Sequence, residues 1–410
     1  MPKVVAIDTG IGWEHARVFA EKGWDVVIHR PTISSSFPIL KYVIPGYGFE
    51  GIRIGDLWTE LMNPDGVDLV MILDLPTGRL GDYLRQELNI PCAGGGIAER
   101  LEVDRVWAKR MAQKYDIPVP KSYAVRGINN LKELMNRLGS GVIKIDTFRG
   151  DFETRLANSP EEAEQVIASI YQSFGPYVNV VRFIVEEIIP DSVLIGGDWL
   201  FDGKRFSSPY HFSLEVRPHC IGKWVEESVP ILDEVKVKTE RMLADLGYRG
   251  FYSNELLYNP DTGKGYLIDQ NIRPPYPLSL HFPAVIKNYT DLVYACGKGD
   301  FGDMKVEVDH PFVGIVAVCA SAEDKAWFPV EIKDKGVRIK WRSAIKIDNT
   351  PYLVPTDNIA GVVVGMGDTV DELLDDMVRQ FEKVDFSRKE DFTTEKFDDA
   401  KAFLKKVRLA

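Results

Sequence analysis

Glu255, Asp269, Asn271 and Arg273 stand on two neighbouring runs, FYSNELLYN and GYLIDQNIRPP. Both runs alternate as strands do, and the turn Asn259-Pro-Asp-Thr-Gly263 between them predicts a β-hairpin. In such a hairpin Glu255 faces Asp269, and Asn271, two residues further on, shares their face. Two carboxylates and an amide oxygen converging on one face repel each other unless a cation lies between them. Hard oxygen donors of this kind suit Mg²⁺, with Mn²⁺ as the alternative, because Mg²⁺ keeps waters and shares phosphate oxygens with its protein ligands. Arg273 adds a planar fork that can clamp a phosphate or carboxylate.

Other segments point to anion chemistry. Lys144 interrupts the apolar strand GVIKID and needs an anionic partner or a route to solvent. The loop after it carries Arg149-Gly150, which could fold over phosphates. VRFIVEEIIPDS reads as a hinge strand that can offer backbone groups to an adenine edge, with Ile188 and Ile189 on its faces. Glu186 and Glu187 there could accept from an exocyclic amine or ribose hydroxyls, and Asp191 is a further ribose candidate. GIGWEHA places Gly10 and Gly12 before a helix; it lacks the third glycine of the dinucleotide fingerprint but offers a helix N-terminus to an anion. Arg217, His219 and Lys223 lie on the segment preceding the hairpin and are candidate substrate contacts.

The elements that must position these residues are of α/β and α+β type. Residues 1–117 alternate strand (KVVAID, WDVVIHR, VDLVMILDL) with amphipathic helix, which implies a parallel sheet in a Rossmann-like N-terminal domain. ERLEVDRVWAKRMAQKYD, residues 99–116, predicts one continuous helix, and the prolines of IPVP mark a boundary. Residues 118–190 read as a small α+β unit in which Ser159 caps a helix beginning at Pro160. Residues 191–305 are strand-rich, with one long helix ahead of the hairpin. Residues 306–410 read as a small C-terminal α+β domain with a charged helical tail.

Composition narrows the partners. The 410 residues suffice for several cores, and a net charge of −11 with no basic run beyond Lys405-Lys406 argues against nucleic acid. The four cysteines are scattered without a CxxC pair, so a reduced, cytoplasmic protein is expected. MPKVVAIDTGIG reads as a first strand rather than a signal peptide, and no apolar run is long enough to span a membrane.

In order along the chain, the α/β start, D-R-x-x-x-K on the helix before IP, the strand lysine, the V-E-E hinge and E…D-x-N-x-R resemble the ATP-grasp superfamily. Within it the chain most resembles the phosphoribosylamine–glycine ligase family. Gly10–Ala16 is similar to that family's opening GGREHA, 101–120 to its helix ending in IPT, and GVVVGMGDTVDELLDDM at 361–377 to its C-terminal strand and helix. The resemblance implies an ATP-grasp fold with a pre-ATP-grasp domain, a lid at 118–190 and a metal-bearing subdomain at 191–305. It implies ATP and Mg²⁺ as cofactors, with Arg105 and Lys144 on the phosphates, and Glu186 with the backbone of Glu187, Ile188 and Ile189 on adenine. Glu255, Asp269 and Asn271 would hold one or two metal ions, and Arg273 would stabilise an acyl phosphate. The implied reaction joins a small-molecule carboxylate to an amine, and a homodimer is left open. Alternatives are a carboxylate kinase or carboxylase of this fold, the phosphoribosylamine–glycine reaction itself, and a catalytically silent nucleotide-binding protein.

The departures fall at substrate-binding stretches. Asp269 stands where that family has Glu. Pro274-Pro-Tyr-Pro-Leu-Ser-Leu-His281 replaces its F-G-D-P-E, LDLPTGRLGD replaces its acidic G-P-E stretch, and HFSLEVRPHCIGKW has no TGGMG.

Overall fold

The computed structural model describes residues 1–30, 44–75, 77–146, 154–226, 229–319, 327–354, 359–386, 389 and 392–409. The loop carrying Arg149 and Gly150 lies outside the described residues.

The N-terminal sheet has five parallel strands in the order Arg53–Ile54, Asp25–His29, Lys3–Ile7, Leu69–Ile72, Cys92–Ala93. Every residue of Lys3–Ile7 is buried: Val4–Ile7 is apolar, as a strand covered on both faces requires, and Lys3 pairs with Glu60 at 2.8 Å. The chain steps from this strand to Asp25–His29 and then Arg53–Ile54 on one side, and crosses back to Leu69–Ile72 and Cys92–Ala93 on the other. Their carboxyl ends therefore open a crevice where the winding reverses, the usual place for a ligand in an open parallel sheet.

A separate antiparallel sheet follows, ordered Ser122–Arg126, Arg182–Glu186, Gly141–Ile145, Thr154–Ala157. The helices Ile128–Leu138 and Pro160–Phe174 share a hydrophobic core with it that is distinct from the main one. Ser159 caps the second helix, accepting from the Glu162 amide at 3.2 Å, with Pro160 at its first position.

The largest sheet has eight strands in the order Lys264–Asn271, Gly250–Asn259, Val193–Phe201, Tyr210–Val216, His219–Val225, Phe312–Cys319, Ile359–Gly367, Ile339–Trp341. It runs straight across residue 306: Cys220 pairs with Ile315 and Gly222 with Val313. The last three strands thus come from the segment read as a separate C-terminal domain. Helix Val370–Glu382 covers this end of the sheet, started by a capping box between Thr369 and Glu372. A smaller sheet, Ala344–Ile347, Thr350–Leu353, Phe328–Ile332, Val384–Phe386, completes the fold.

The helix expected over 99–116 is broken. A short turn Arg100–Val103 ends at Asp104, whose φ of −131° leaves the helical region, and a new helix spans Arg105–Lys114. The Asp104 carboxylate accepts from the Trp107 amide at 3.1 Å. A short acidic side chain competes with the helix for its own backbone donors, and here it restarts the helix at Arg105.

Candidate active site

The hairpin forms as the turn chemistry predicts. Glu255 lies opposite Asp269 and Ser253 opposite Asn271, with a β-bulge between Glu255 and Leu256. The predicted face is therefore built. Burial, then the neighbouring Asp269 and Glu215 carboxylates, push Glu255 up to about 8, against the pull of Arg217 and Lys144. Alone, the face is electrostatically incomplete, since one of its acids must keep a proton near neutrality. Among the described residues no three His, Cys, Asp or Glu side chains cluster as a metal site. This donor set is two carboxylates and an amide oxygen. It fits a cation that completes its shell with phosphate oxygens and water, as Mg²⁺ does.

On one side of the hairpin three cations converge. Arg105 donates to the Ile145 carbonyl at 2.8 Å and lies 3.8 Å from Asp269. Lys144 bonds the Ile268 carbonyl at 3.0 Å and Glu186 at 3.1 Å. Lys109 bonds the Leu267 carbonyl at 3.2 Å and Glu186 at 2.8 Å. Burial pushes Glu186 up, but Lys109 and Lys144 outweigh it and hold the carboxyl below the usual range. Lys109 is lowered by burial, which Glu186 only partly offsets. Three buried or nearly buried cations thus gather beside the acidic face, with Glu186 and Asp269 among them, an arrangement suited to a polyphosphate. Glu186, expected to reach for a nucleotide, has its carboxylate on the two lysines. Glu187 is exposed, its amide donating to the Lys121 carbonyl and its carboxylate accepting from the Lys121 amide; Ile188 and Ile189 are half-buried, and Asp191 is an exposed turn residue with φ +51°.

On the other side lies a cavity of about 100 Å³ lined by Gly196, Ser213, Ser253, Glu255, Asn271 and Tyr276, among others. Glu255 and Asn271 thus border this cavity, while Asp269 borders the cationic side. Arg273 is held by Glu102 at 3.1 Å and Asp74 at 3.7 Å, and its guanidinium lies 5.6 Å from the Tyr276 ring. Burial works against its charge, but the two carboxylates outweigh it. Asp74 ends the strand Leu69–Ile72, so Arg273 ties the hairpin to the crevice of the N-terminal sheet.

Solved structures share this architecture. Phosphoribosylamine–glycine ligase from Thermotoga maritima superposes with a TM-score of 0.69 at 18% identity, covering 94% of this chain and 98% of that one. The biotin carboxylase domain of the Hydrogenobacter thermophilus 2-oxoglutarate carboxylase, solved with MgADP and bicarbonate, gives 0.68 at 14%, covering 94% and 90%. N5-carboxyaminoimidazole synthetase from Staphylococcus aureus, complexed with ADP, gives 0.63 at 14%, covering 93% and 97%. No family model and no curated protein sequence matches the chain. The fold is the ATP-grasp fold.

Within this ATP-grasp fold the sequence-derived substrate candidates separate. Strand register puts Gly196 beside Glu255, Ser213 beside Gly196, and Gly222 beside Ser213. His219, Ile221 and Lys223 alternate with that row and point to the opposite face of the sheet. His219 is buried under Phe392 and Phe397, its Nδ1 accepting from the Ala317 amide at 3.2 Å, and burial pushes it down to about 4. Lys223 lies over the Phe312 ring at 5.0 Å. Arg217 stays near the acidic face, exposed and paired with Glu215 at 2.9 Å.

The anion site expected at the GIGW turn is filled from within. Asp8 accepts from the Ile11 and Gly12 amides at 3.1 and 2.7 Å, and its other oxygen pairs with the buried Arg30. Glu102 and Asp74 were given no role from sequence, and Lys109, the last residue of the D-R-x-x-x-K motif, was given none of its own; it stands four residues after Arg105 on one helix face.

Proposed function

We propose that this protein is an ATP-dependent carboxylate–amine ligase working through an acyl phosphate. The observation that carries this reading is the Glu255–Asp269–Asn271 face. It cannot ionise fully alone, and it lies between a cationic recess and a polar cavity. The recess of Arg105, Lys109 and Lys144 would take the ATP phosphates, and the cavity the carboxylate and amine. The strand ending at Glu186 and the residues to Ile189 would carry the adenine. Mg²⁺, held by Glu255, Asp269 and Asn271, would neutralise charge on the transferring phosphoryl group. Arg273 would swing from Glu102 and Asp74 to the developing acyl phosphate, and Arg217 would meet the substrate at the cavity rim. Catalysis of this kind is mainly positioning and charge stabilisation.

The filled GIGW turn bears on the substrate. With its Ile11 and Gly12 amides taken by Asp8, this turn is a poor seat for an anion, which favours an acceptor without phosphate at that place.

The test is ADP release by the full chain with MgATP and a panel of amino acids and small carboxylic acids, with hydroxylamine present to trap acyl phosphate. Hydroxamate formation that depends on Mg²⁺ and on one acid is expected, and an amide product when the proper amine is added. Absence of ADP across the panel, together with no ATP binding by calorimetry, overturns the reading. Acyl phosphate without any amine product assigns the carboxylate kinase instead.

A further inference from the structure

Behind the cavity wall lies a buried polar set with no part in the scheme above. Asp198 and His211 are directly paired residues on neighbouring strands, and Asp198 is paired on its other side with Ser253. Asp198 and His211 are 2% and 1% exposed, and His281, on the turn Leu278–His281, is fully buried. The His211 and His281 rings lie 4.5 Å apart, walled by Trp224 and Phe282.

The hydrogen bonds decide where the protons sit. His211 Nδ1 faces Asp198 Oδ2 at 3.0 Å, and His281 Nδ1 faces the Leu278 carbonyl at 2.6 Å. A carbonyl or carboxylate oxygen only accepts, so each Nδ1 carries the hydrogen and each Nε2 is a bare lone pair. Neither Nε2 finds a hydrogen-bond partner among the described residues. Two unsatisfied acceptors in neighbouring rings of an apolar pocket cost free energy, so the set is better suited to gaining a hydrogen than to losing one.

The charges agree. Burial pushes Asp198 up to about 6, with Ser253, His281 and Ser213 pulling it down, and burial pushes His211 down to about 3 and His281 well below its usual range. Each group alone resists charge, so near neutral pH the set carries at most the one Asp198 charge. Accepting a single proton brings it to neutrality inside the protein. The set is one step from the cavity: Ser213 and Ser253 lie on the same sheet face as Asp198 and line the cavity beside Glu255, as does Leu278.

We propose that Asp198, His211 and His281 form a proton-accepting relay for the amine of the second half-reaction, reached through the hydroxyls of Ser213 and Ser253. This rests on the ligase reading for its chemistry. Attack of the neutral amine forms the C–N bond, the bond between the acyl carbon and the bridging phosphate oxygen breaks, and inorganic phosphate leaves with the bonding pair. The nitrogen then holds one proton too many. A serine hydroxyl takes it while passing its own to Asp198, which leaves Asp198, His211 and His281 together without net charge. The three are positioning groups acting through the serines, because they do not touch substrate themselves. Other titratable or polar groups facing the set are Ser279 and His15, the latter bonded to Ser279 at 3.2 Å and influenced by His281.

The test has two arms. The protein has six histidines, so side-chain ¹⁵N NMR of the full chain resolves them individually. His211 and His281 are expected as Nδ1–H tautomers that shift together in one protonation step, a step lost in Asp198→Asn and in His281→Gln. Independent titration, or a hydrogen resident on either Nε2 at high pH, overturns the proposal whatever the enzyme makes. The second arm measures amide formed with methylamine against hydroxamate formed with hydroxylamine, which is neutral near pH 7 and yields an easily lost proton. In Asp198→Asn and in the Ser213→Ala/Ser253→Ala double variant the amide-to-hydroxamate ratio should fall at least about ten-fold, within the range of general-base effects. An unchanged ratio overturns the relay. Failure of the wild type to make either product strikes the ligase reading, and the NMR arm still decides whether the three groups share a proton.

Discussion

Loading the Glu255–Asp269–Asn271 face with Mg²⁺ should expel a proton. With Glu255 pushed up to about 8, roughly ten molecules in eleven carry that proton at pH 7. A carboxyl bound to a metal must be ionised, so binding at pH 7 releases close to one proton and is weakened roughly ten-fold relative to high pH. The penalty grows toward pH 6 and fades toward pH 8, so apparent Mg²⁺ affinity should rise by at least about ten-fold from pH 6 to pH 8. The sign follows from the raised value: metal and proton compete, and the metal gains as pH rises. The assay is calorimetric titration of Mg²⁺ into the protein holding a non-hydrolysable ATP analogue, in buffers of different ionisation enthalpy, with Glu255→Gln as the reference. The glutamine variant removes the competing proton, so the difference between the two proteins isolates Glu255 from the nucleotide's own protons. Equal proton release and equal pH slopes in both would refute the reasoning, because Glu255 would then be neither protonated nor displaced.

Glu186→Gln should destabilise the protein by about 3–5 kcal/mol, since Lys109 and Lys144 lose the charge that neutralises them inside; a urea melt near neutral pH reads it, and an unchanged midpoint would show that the lysines reach solvent. His15 is pushed down to about 3 by burial and then by His281 and Lys340, against 6.5 in the open chain. Between those values the unfolded chain binds the extra proton, so stability should climb with pH through that window by about 1.4 kcal/mol per unit. In His15→Gln the thermal midpoint should depend less steeply on pH over that range, and an unaltered slope would contradict it. Thr369→Ala should cost about 1 kcal/mol by removing the hydroxyl that accepts from the Glu372 amide at the start of Val370–Glu382, visible as faster amide exchange in that helix.

The parts legible in the sequence were those set locally. Alternation and the Asn259–Gly263 turn suffice for the hairpin, because strand period and turn chemistry act over a few residues and fix which side chains share a face. Ser159-Pro160 marks a helix start for the same reason. The rest depends on partners distant in the chain. His219 and Lys223 sit near the hairpin in sequence, but the register of their strand against Tyr210–Val216 turns them to the other face. The continuation of the sheet past residue 306 is a pairing between Cys220 and Ile315 that no local pattern announces. Asp104 looked like one more polar position of a long helix, and its role as a cap depends on a backbone break that periodicity does not show. The meeting of Asp198, His211 and His281 needs two strands and a turn to close over one another.

The unit spanning Ser122 to Glu186 keeps its oily interior to itself. Little apolar glue binds it to the rest, so its attitude toward the main body is governed by a handful of polar links: Lys144 to Ile268, Arg105 to Ile145, and the Lys109–Glu186 pair. These three links end at the recess proposed for the ATP phosphates, while Arg182 to Asp104 and Asp146 to the Val106 amide hold the unit beside it. A bound nucleotide would therefore act as the missing fastener of a hinged flap, and its departure would loosen the flap without disturbing what is packed within.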